Sequence, residues 1–266
     1  MSLSVSKYMA PLVASIAFMM GLVLAPQAFS AEGDRLPAAK SASPTSTRTT
    51  MIFGISWHPG YCQTRPRSRD CQSLAKDGIS NRQFSLHGLW TVKKSYCGVA
   101  APLKATDKAR KWLDLPKLVL GEDLARELAA AMPGTRSGLD RHEWIMHGTC
   151  SGDLAADYYR RSLDFLAAVN ASAVGRLFAA KIGQNVTEAE VKSAFDQAFG
   201  AGTGDKIKMR CRKQGGEMVI TGLTIGLGAP DPDDASASSD LGTLIAAAGK
   251  TKFGCAEGQV AGASPS

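Results

Sequence analysis

Hydrophobic and polar positions alternate along the chain in a way that separates short strands from longer helices. Met51 to Trp57 is apolar and β-branched enough for a first strand, and Gln83 to Trp90 predicts a second. Between them, Gly60 and Pro66 mark a loop that carries Arg65, Arg67 and Arg69; a charge run of this kind is ordinarily solvated surface, with a phosphate-contacting patch as the lesser reading. Leu118 to Met132 has helical periodicity and meets helix stops at Pro133-Gly134. Leu139 to Cys150 predicts a short helix. Asp153 to Asn170 predicts a longer one that buries Leu154, Tyr158, Phe165, Leu166 and Val169. Thr187 and Glu190 form a capping box, with Val186 and Val191 as its hydrophobic staple, and that helix runs to about Phe199 before Gly200. Lys206 to Cys211 and Glu217 to Leu227 read as strands joined through Gly215-Gly216, followed by a polar loop at 230–240. Strands early, helices in the middle and strands late favour an α+β fold over a doubly wound parallel sheet. The expected architecture is a central, mainly antiparallel sheet with flanking helices.

The N-terminal pattern is different. Residues 1–30 contain Lys7 as their only charge and an apolar run from Met9 to Phe29, closed by the small-residue site Ala28-Phe29-Ser30. This predicts a signal peptide cleaved after Ser30, in preference to a retained membrane anchor. Residues 31–49, rich in Ala, Ser, Thr and Pro, predict a flexible leader, and residues 50–260 one folded domain. No later segment is long and apolar enough to span a bilayer, so the mature chain is expected to be a monomer without stable membrane association, periplasmic or secreted.

Composition sharpens this picture in two respects. The formal net charge is +7, and loss of Lys7 with the signal peptide leaves +6; a basic surface attracts polyanions, of which nucleic acid is the commonest large one. The six cysteines, Cys62, Cys71, Cys97, Cys150, Cys211 and Cys255, form an even set behind an export signal, which implies a disulfide-stapled fold. Six cysteines allow about fifteen pairings. Cys62 and Cys71 lie close enough to clip one loop, and Cys211 with Cys255 would tie the ends of the last section. Two N-x-S/T patterns begin at Asn170 and Asn185; local capping and turn chemistry is preferred over glycosylation at both.

The chemistry concentrates in histidines. The chain has four, and three fall in two segments: His87 in Phe84 to Trp90, and His142 and His147 in the run His142 to Cys150. Histidine serves as acid or base near neutrality, so a pair can remove one proton and deliver another in a single displacement. Cleavage of RNA by its own 2′-hydroxyl needs that pair, together with donors for the charge on phosphorus. The spacing argues against zinc. His142 and His147 are five apart, so on a helix their rings point about 140° away from each other, unlike the four-residue spacing of H-E-x-x-H. Glu143 and His147 are the i, i+4 pair, so the Glu143 carboxylate is placed to orient the His147 ring. No G-x-S-x-G elbow is present to support a serine hydrolase.

At these residues the sequence resembles the ribonuclease T2 family. One family motif, x-x-H-G-L-W-P, stands as Ser85-Leu86-His87-Gly88-Leu89-Trp90-Thr91; the other, H-E-W-x-K-H-G-T-C, stands as His142 to Cys150 with Met146 in the lysine position. The resemblance implies an α+β fold, no metal and no cofactor, and RNA as substrate, cleaved through a 2′,3′-cyclic phosphate with little base specificity. It implies His147 as general base, His87 as general acid, His142 as the phosphate-binding histidine and Glu143 as a stabiliser of the transition state. Trp90 matches a base-stacking aromatic; Tyr96 is a second candidate whose spacing fits less well. A Cys97–Cys150 disulfide is implied as well. Met146 cannot supply a cation, which sets up an alternative: a low-activity RNA-binding or toxin-like homologue. Arg141, Lys93 and Lys94 are the candidates to replace the lost charge.

Overall fold

A six-stranded sheet organises the chain, and its edge strand carries the first histidine segment. The computed structural model describes residues 48–72, 81–229 and 240–263. The expected signal peptide, nearly all of the leader and most of the 230–240 loop lie outside these residues. Strand β1 (Thr49–Ser56) pairs antiparallel with β2 (Ser85–Thr91) on one side and with β5 (Glu217–Gly228) on the other. β4 (Ile207–Gln214) pairs along the far edge of β5. The short β6 (Glu257–Gln259) adds to β5 in parallel, and β3 (Asn185–Thr187) closes that end antiparallel to β6. All but one of the strand pairs are antiparallel, as the order of elements predicts.

Helices α1 (His58–Thr64), α2 (Ala101–Lys108), α3 (Glu122–Ala131), α4 (Leu139–Met146), α5 (Ala155–Ala171), α6 (Ala173–Ala180), α7 (Glu188–Phe199) and α8 (Leu241–Ala246) complete the described fold. Phe53 and Ile55 of β1, Ile207 and Met209 of β4, and Leu223 and Ile225 of β5 share one core with Tyr158, Phe165, Val169, Phe178 and Phe195. Among the described residues no single helix is long and apolar enough to cross a membrane.

The strand order follows from local chemistry. Gly215 and Gly216 both take positive φ, 58° and 97°, as a two-residue hairpin between β4 and β5 requires. In β4, buried Ile207 and Met209 alternate with exposed Lys208, Arg210 and Arg212, the period-2 pattern of a half-buried strand. β2 breaks that rule. Leu86 and Leu89 are both in the core although three residues apart. The register explains why: Gly54 faces Gly88 while Ile55 faces Leu86, so His87 is an extra residue in β2. This bulge returns both leucines to the core and leaves His87 and Trp90 on the other face.

β2 is also pinned along its outer edge by α5. The Asn170 side chain accepts from Phe84 N at 2.9 Å and donates to Phe84 O at 3.0 Å. The Tyr158 hydroxyl accepts from Leu89 N at 3.1 Å and donates to Leu89 O at 2.8 Å. Tyr158 to Asn170 rises about 18 Å along a helix; Phe84 to Leu89 spans about 17 Å of strand. The two lengths match, so one helix satisfies both ends of an otherwise unpaired edge.

The capping box at Thr187 and Glu190 is present, and Val186 and Val191 are both fully buried. All three disulfides form as paired above: Cys62–Cys71, Cys97–Cys150 and Cys211–Cys255. Several expectations need correction. The stretch after β1 is not only loop: α1 forms over His58–Thr64, and it holds Gly60 so near β5 that a Cβ there would sit 2.0 Å from Ile220 O. The helix expected from Leu118 begins at Glu122, after Gly121. Leu154 is 74 % exposed, because it precedes the first turn of α5 and lies outside its buried stripe. Ser172 does cap a helix, α6, accepting from Val174 N, whereas Asn170 serves the β2 edge.

Asn170→Ala leaves both main-chain groups of buried Phe84 without their partner. Loss of about 2 kcal/mol or more is expected, seen as a Tm lower by roughly 4–8 °C for a domain of this size. An unchanged melting curve would show that the edge is satisfied in another way.

Candidate active site

The two histidine segments meet where α4 packs against β2. Glu143 is 2 % exposed, and its carboxyl group lies directly over Gly88. A Cβ at Gly88 would come within 2.2 Å of Glu143 Oε2 and 2.7 Å of Trp90 Nε1, so only glycine leaves room for this approach. Trp90 Nε1 donates to Glu143 Oε2 at 2.6 Å, and His87 Nε2 lies 3.5 Å from Glu143 Oε1. The Trp90 ring lies across Gly54 of β1, where a Cβ would be 2.8 Å from its edge. Trp90 is thus a clamp on Glu143, and only its partly exposed remainder is open to a base. Ser56 Oγ stands 3.4 Å from His87 Nδ1.

His142 is held from the other side. Its Nδ1 lies 2.7 Å from Asp107 Oδ1, and its ring stacks on Trp112 with centroids 4.3 Å apart and planes 16° apart. Asp107 is buried on α2. It accepts from the Tyr96 hydroxyl at 2.7 Å, while its backbone carbonyl accepts from Trp112 Nε1 at 3.2 Å. With Nδ1 committed to Asp107, Nε2 of His142 is the nitrogen available to a ligand. Tyr96 is a part of this support: its main-chain N donates to Met146 O, its hydroxyl is spent on Asp107, and Lys104 lies over its ring at 5.0 Å.

Glu143 does not orient His147, contrary to the helical spacing. α4 ends at Met146, and His147 has φ −122° and ψ −46°, so its side chain departs from the helical face of Glu143. His147 Nδ1 is buried with no hydrogen-bond partner. The ring is held by packing against Trp90, centroids 5.9 Å apart.

Burial shapes the electrostatics. Partial loss of water lowers the pKa of His87, whose side chain is still 43 % exposed, toward about 4, helped by the positive charge of Arg210 and by the other two histidines. Burial and His142 likewise lower His147 to about 4, against an opposing pull from Asp107. Burial raises Glu143 to about 8; the Trp90 hydrogen bond opposes this and Asp107 adds to it. Near neutral pH these shifts favour neutral His87 and His147 and a protonated Glu143.

The structure brings together His87, Trp90, His142, Glu143 and His147, with Tyr96 behind them. Sequence reasoning missed Asp107, Trp112, Ser56 and Arg210, and gave Gly88 no role. Of the residues proposed to replace the missing lysine, Arg141 donates to Leu113 O and Leu115 O, and Lys93 and Lys94 are exposed after β2. The cation whose charge reaches His87 is Arg210. Its signal was the alternation Lys208, Arg210, Arg212 along β4. Among the described residues, the one cluster of metal-type side chains is His58, Cys62 and Cys71, whose two sulfurs are joined to each other.

Comparison with known proteins places this geometry in context. Residues 48–235 match the family model described as the ribonuclease T2 family. Ribonuclease I of Escherichia coli (strain K12) is 25 % identical over 201 residues, covering 67 % of this chain and 74 % of the relative. A ribonuclease of Aeromonas hydrophila is 30 % identical over 150 residues, covering 56 % of each chain, so the match spans just over half of that relative. The crystal structure of human RNase T2 is 21 % identical with a TM-score of 0.44, covering 67 % of this chain and 85 % of that one.

Trp90→Phe removes the one donor that opposes burial at Glu143. The Glu143 pKa should then rise above about 8, measurable by carboxyl-carbon NMR titration. A value that stays in place would show that the indole bond has no part in setting it.

Proposed function

The chain belongs to the ribonuclease T2 family, and on that basis we propose that it is an endoribonuclease cleaving single-stranded RNA by transphosphorylation, without a metal and with little base specificity. The observation that carries this reading is the meeting of the two histidine segments around Glu143, with His142 fixed separately by Asp107. His147 removes the proton of the ribose 2′-hydroxyl. The 2′-oxygen bonds to phosphorus, the P–O5′ bond breaks, and His87 protonates the departing 5′-oxygen. The products are a 2′,3′-cyclic phosphate and a 5′-hydroxyl. His142 binds the phosphate, and Glu143 stabilises the charge that builds on it. Trp90 is the substrate-binding aromatic of this reading, through its exposed part, whereas Tyr96, expected as a second, supports His142 through Asp107.

The proton that His87 delivers is stored on Glu143. With His87 lowered to about 4 and Glu143 raised to about 8, the proton of the pair rests on the carboxyl group, 3.5 Å from the imidazole. An arriving phosphate brings negative charge, which favours the imidazolium and draws the proton across. The apolar run in residues 1–30, read as an export signal, and the three disulfides support a periplasmic or secreted location, outside the reducing cytosol.

The mature protein is expected to cut RNA in excess EDTA and to leave 2′,3′-cyclic phosphate ends. His87→Ala and His147→Ala should each lower kcat at least roughly 100-fold with the fold intact. Chelator-sensitive cleavage would overturn the reading. A second reading rests on Met146, the last residue of α4, which supplies no charge: a homologue that binds RNA with little turnover. Binding without cleavage, with turnover restored by Met146→Lys, would favour it.

The pH profile follows from the same groups. His147 must be neutral to act as base, so kcat/KM rises as pH passes about 4. The His87–Glu143 pair must keep its proton, so kcat/KM falls above about 8. Glu143→Gln removes the stored proton and should move the falling limb toward lower pH. A falling limb indifferent to that substitution would show that another group holds the proton.

A further inference from the structure

Beside the histidines, on the face of the sheet opposite the core, lies a cleft of about 160 Å³. His87 and Trp90 form its border with the active site, and Tyr61, Arg65, Arg210 and Arg212 line it; His142, Glu143 and His147 do not. No Asp or Glu lines it, and among the described residues none of its three guanidinium groups forms an ion pair. Three unpaired cations around a small cleft suit one anionic group, and guanidinium forks match phosphate oxygens. Tyr61 is the poorer platform for a nucleobase, because the Arg65 guanidinium lies over its ring, 5.9 Å from the centroid.

The position of the cleft gives it a direction along the strand. In an in-line displacement the base and the acid act on opposite sides of phosphorus. The cleft adjoins His87 and not His147, so it lies on the side of the departing 5′-oxygen. We propose that Arg65, Arg210 and Arg212 form a phosphate subsite for the phosphodiester on the 3′ side of the leaving nucleotide. The direction rests on the acid and base roles assigned above; the phosphate preference rests on the cleft alone. The consequence is a substrate preference: the protein favours an RNA strand that continues beyond the scissile bond over a dinucleotide that stops there.

The test compares kcat/KM for three short substrates, a dinucleoside monophosphate NpN, the same with a 3′-terminal phosphate, NpNp, and the same with a 5′-terminal phosphate, pNpN. NpNp should be cut roughly tenfold better than NpN, the scale of one charge-assisted contact discounted for solvent, and pNpN should resemble NpN. The NpNp advantage should fade at high salt. In Arg210→Ala/Arg212→Ala and in Arg65→Ala the NpNp/NpN ratio should fall toward one, with Arg210→Lys/Arg212→Lys keeping much of it. Equal rates for NpN and NpNp, or a gain for pNpN instead, overturn the proposal. Calorimetric binding of the uncleavable 2′-deoxy forms of NpN and NpNp separates it from the reaction. If nothing is cut, yet the 3′-phosphate tightens binding in the unaltered protein and not in the double variant, the reaction fails and the subsite stands. If cleavage proceeds with a ratio of one, the subsite fails and the reaction stands.

Discussion

The fixing of β2 is the constraint on which the site depends. An edge strand with free N–H and C=O groups can slip or pair elsewhere. Here Asn170 and Tyr158 of α5 close the main-chain groups of Phe84 and Leu89, and β1 closes the opposite edge. Between those two fixed points lies the His87 bulge. A bulge held at both ends cannot migrate, so three consequences follow together: His87 leaves the core face, Gly88 lies under Glu143, and Trp90 reaches across Gly54 to clamp the same carboxyl group. Movement of β2 by one residue would undo all three, because the side-chain period of a strand is two.

Glu143 is the point at which that strand controls α4. A buried carboxylate is costly unless neutralised or well supplied with donors. It has one strong donor, the Trp90 indole, and it lies near Asp107, so the protonated form is favoured. The histidines respond to burial in the opposite sense and favour their neutral forms. The neutral forms favoured at His87, His147 and Glu143 lower the cost of enclosing these three groups. Asp107 is spent on His142 and Tyr96, so the residue proposed to hold the phosphate is fixed separately from those proposed to move protons.

Features encoded within a few residues were legible in the sequence. The two histidine segments, the capping box at Thr187, the β4–β5 hairpin and the mixed order of elements all have local signatures, and so does the Cys62–Cys71 clip. Features that depend on register were not. The His87 bulge depends on where β1 lies, and the only trace of it in the chain is that Leu86 and Leu89 break the period of two. Asp107 sits in a short helix with little apolar pattern, and nothing in its neighbourhood announces a partner on α4. The pairing of Glu143 with His147 failed because helical spacing holds only while the helix continues, and α4 stops one residue short of His147. Arg210 was readable as part of an alternating basic strand, but its nearness to His87 comes from the β2-β1-β5-β4 order of the sheet.

That displacement of charge bears on Met146. A cation on α4 would act on the phosphate from the same side as His142 and His147. Arg210 acts from the sheet, beside the residue proposed as the acid: after burial, its charge is the next cause that lowers the pKa of His87. An imidazolium with a low pKa gives up its proton readily but is seldom formed, so by itself the change trades strength for occupancy. Glu143, with the higher pKa, keeps a proton 3.5 Å away, and in the proposed reaction that proton reaches His87 only when a bound phosphate favours the imidazolium. The sheet cation and the buried carboxyl group are thus complementary. In the proposed reaction one makes the His87 imidazolium a stronger acid, and the other holds a proton near it. Both depend on the same bulged strand, because it sets the place of His87 between them.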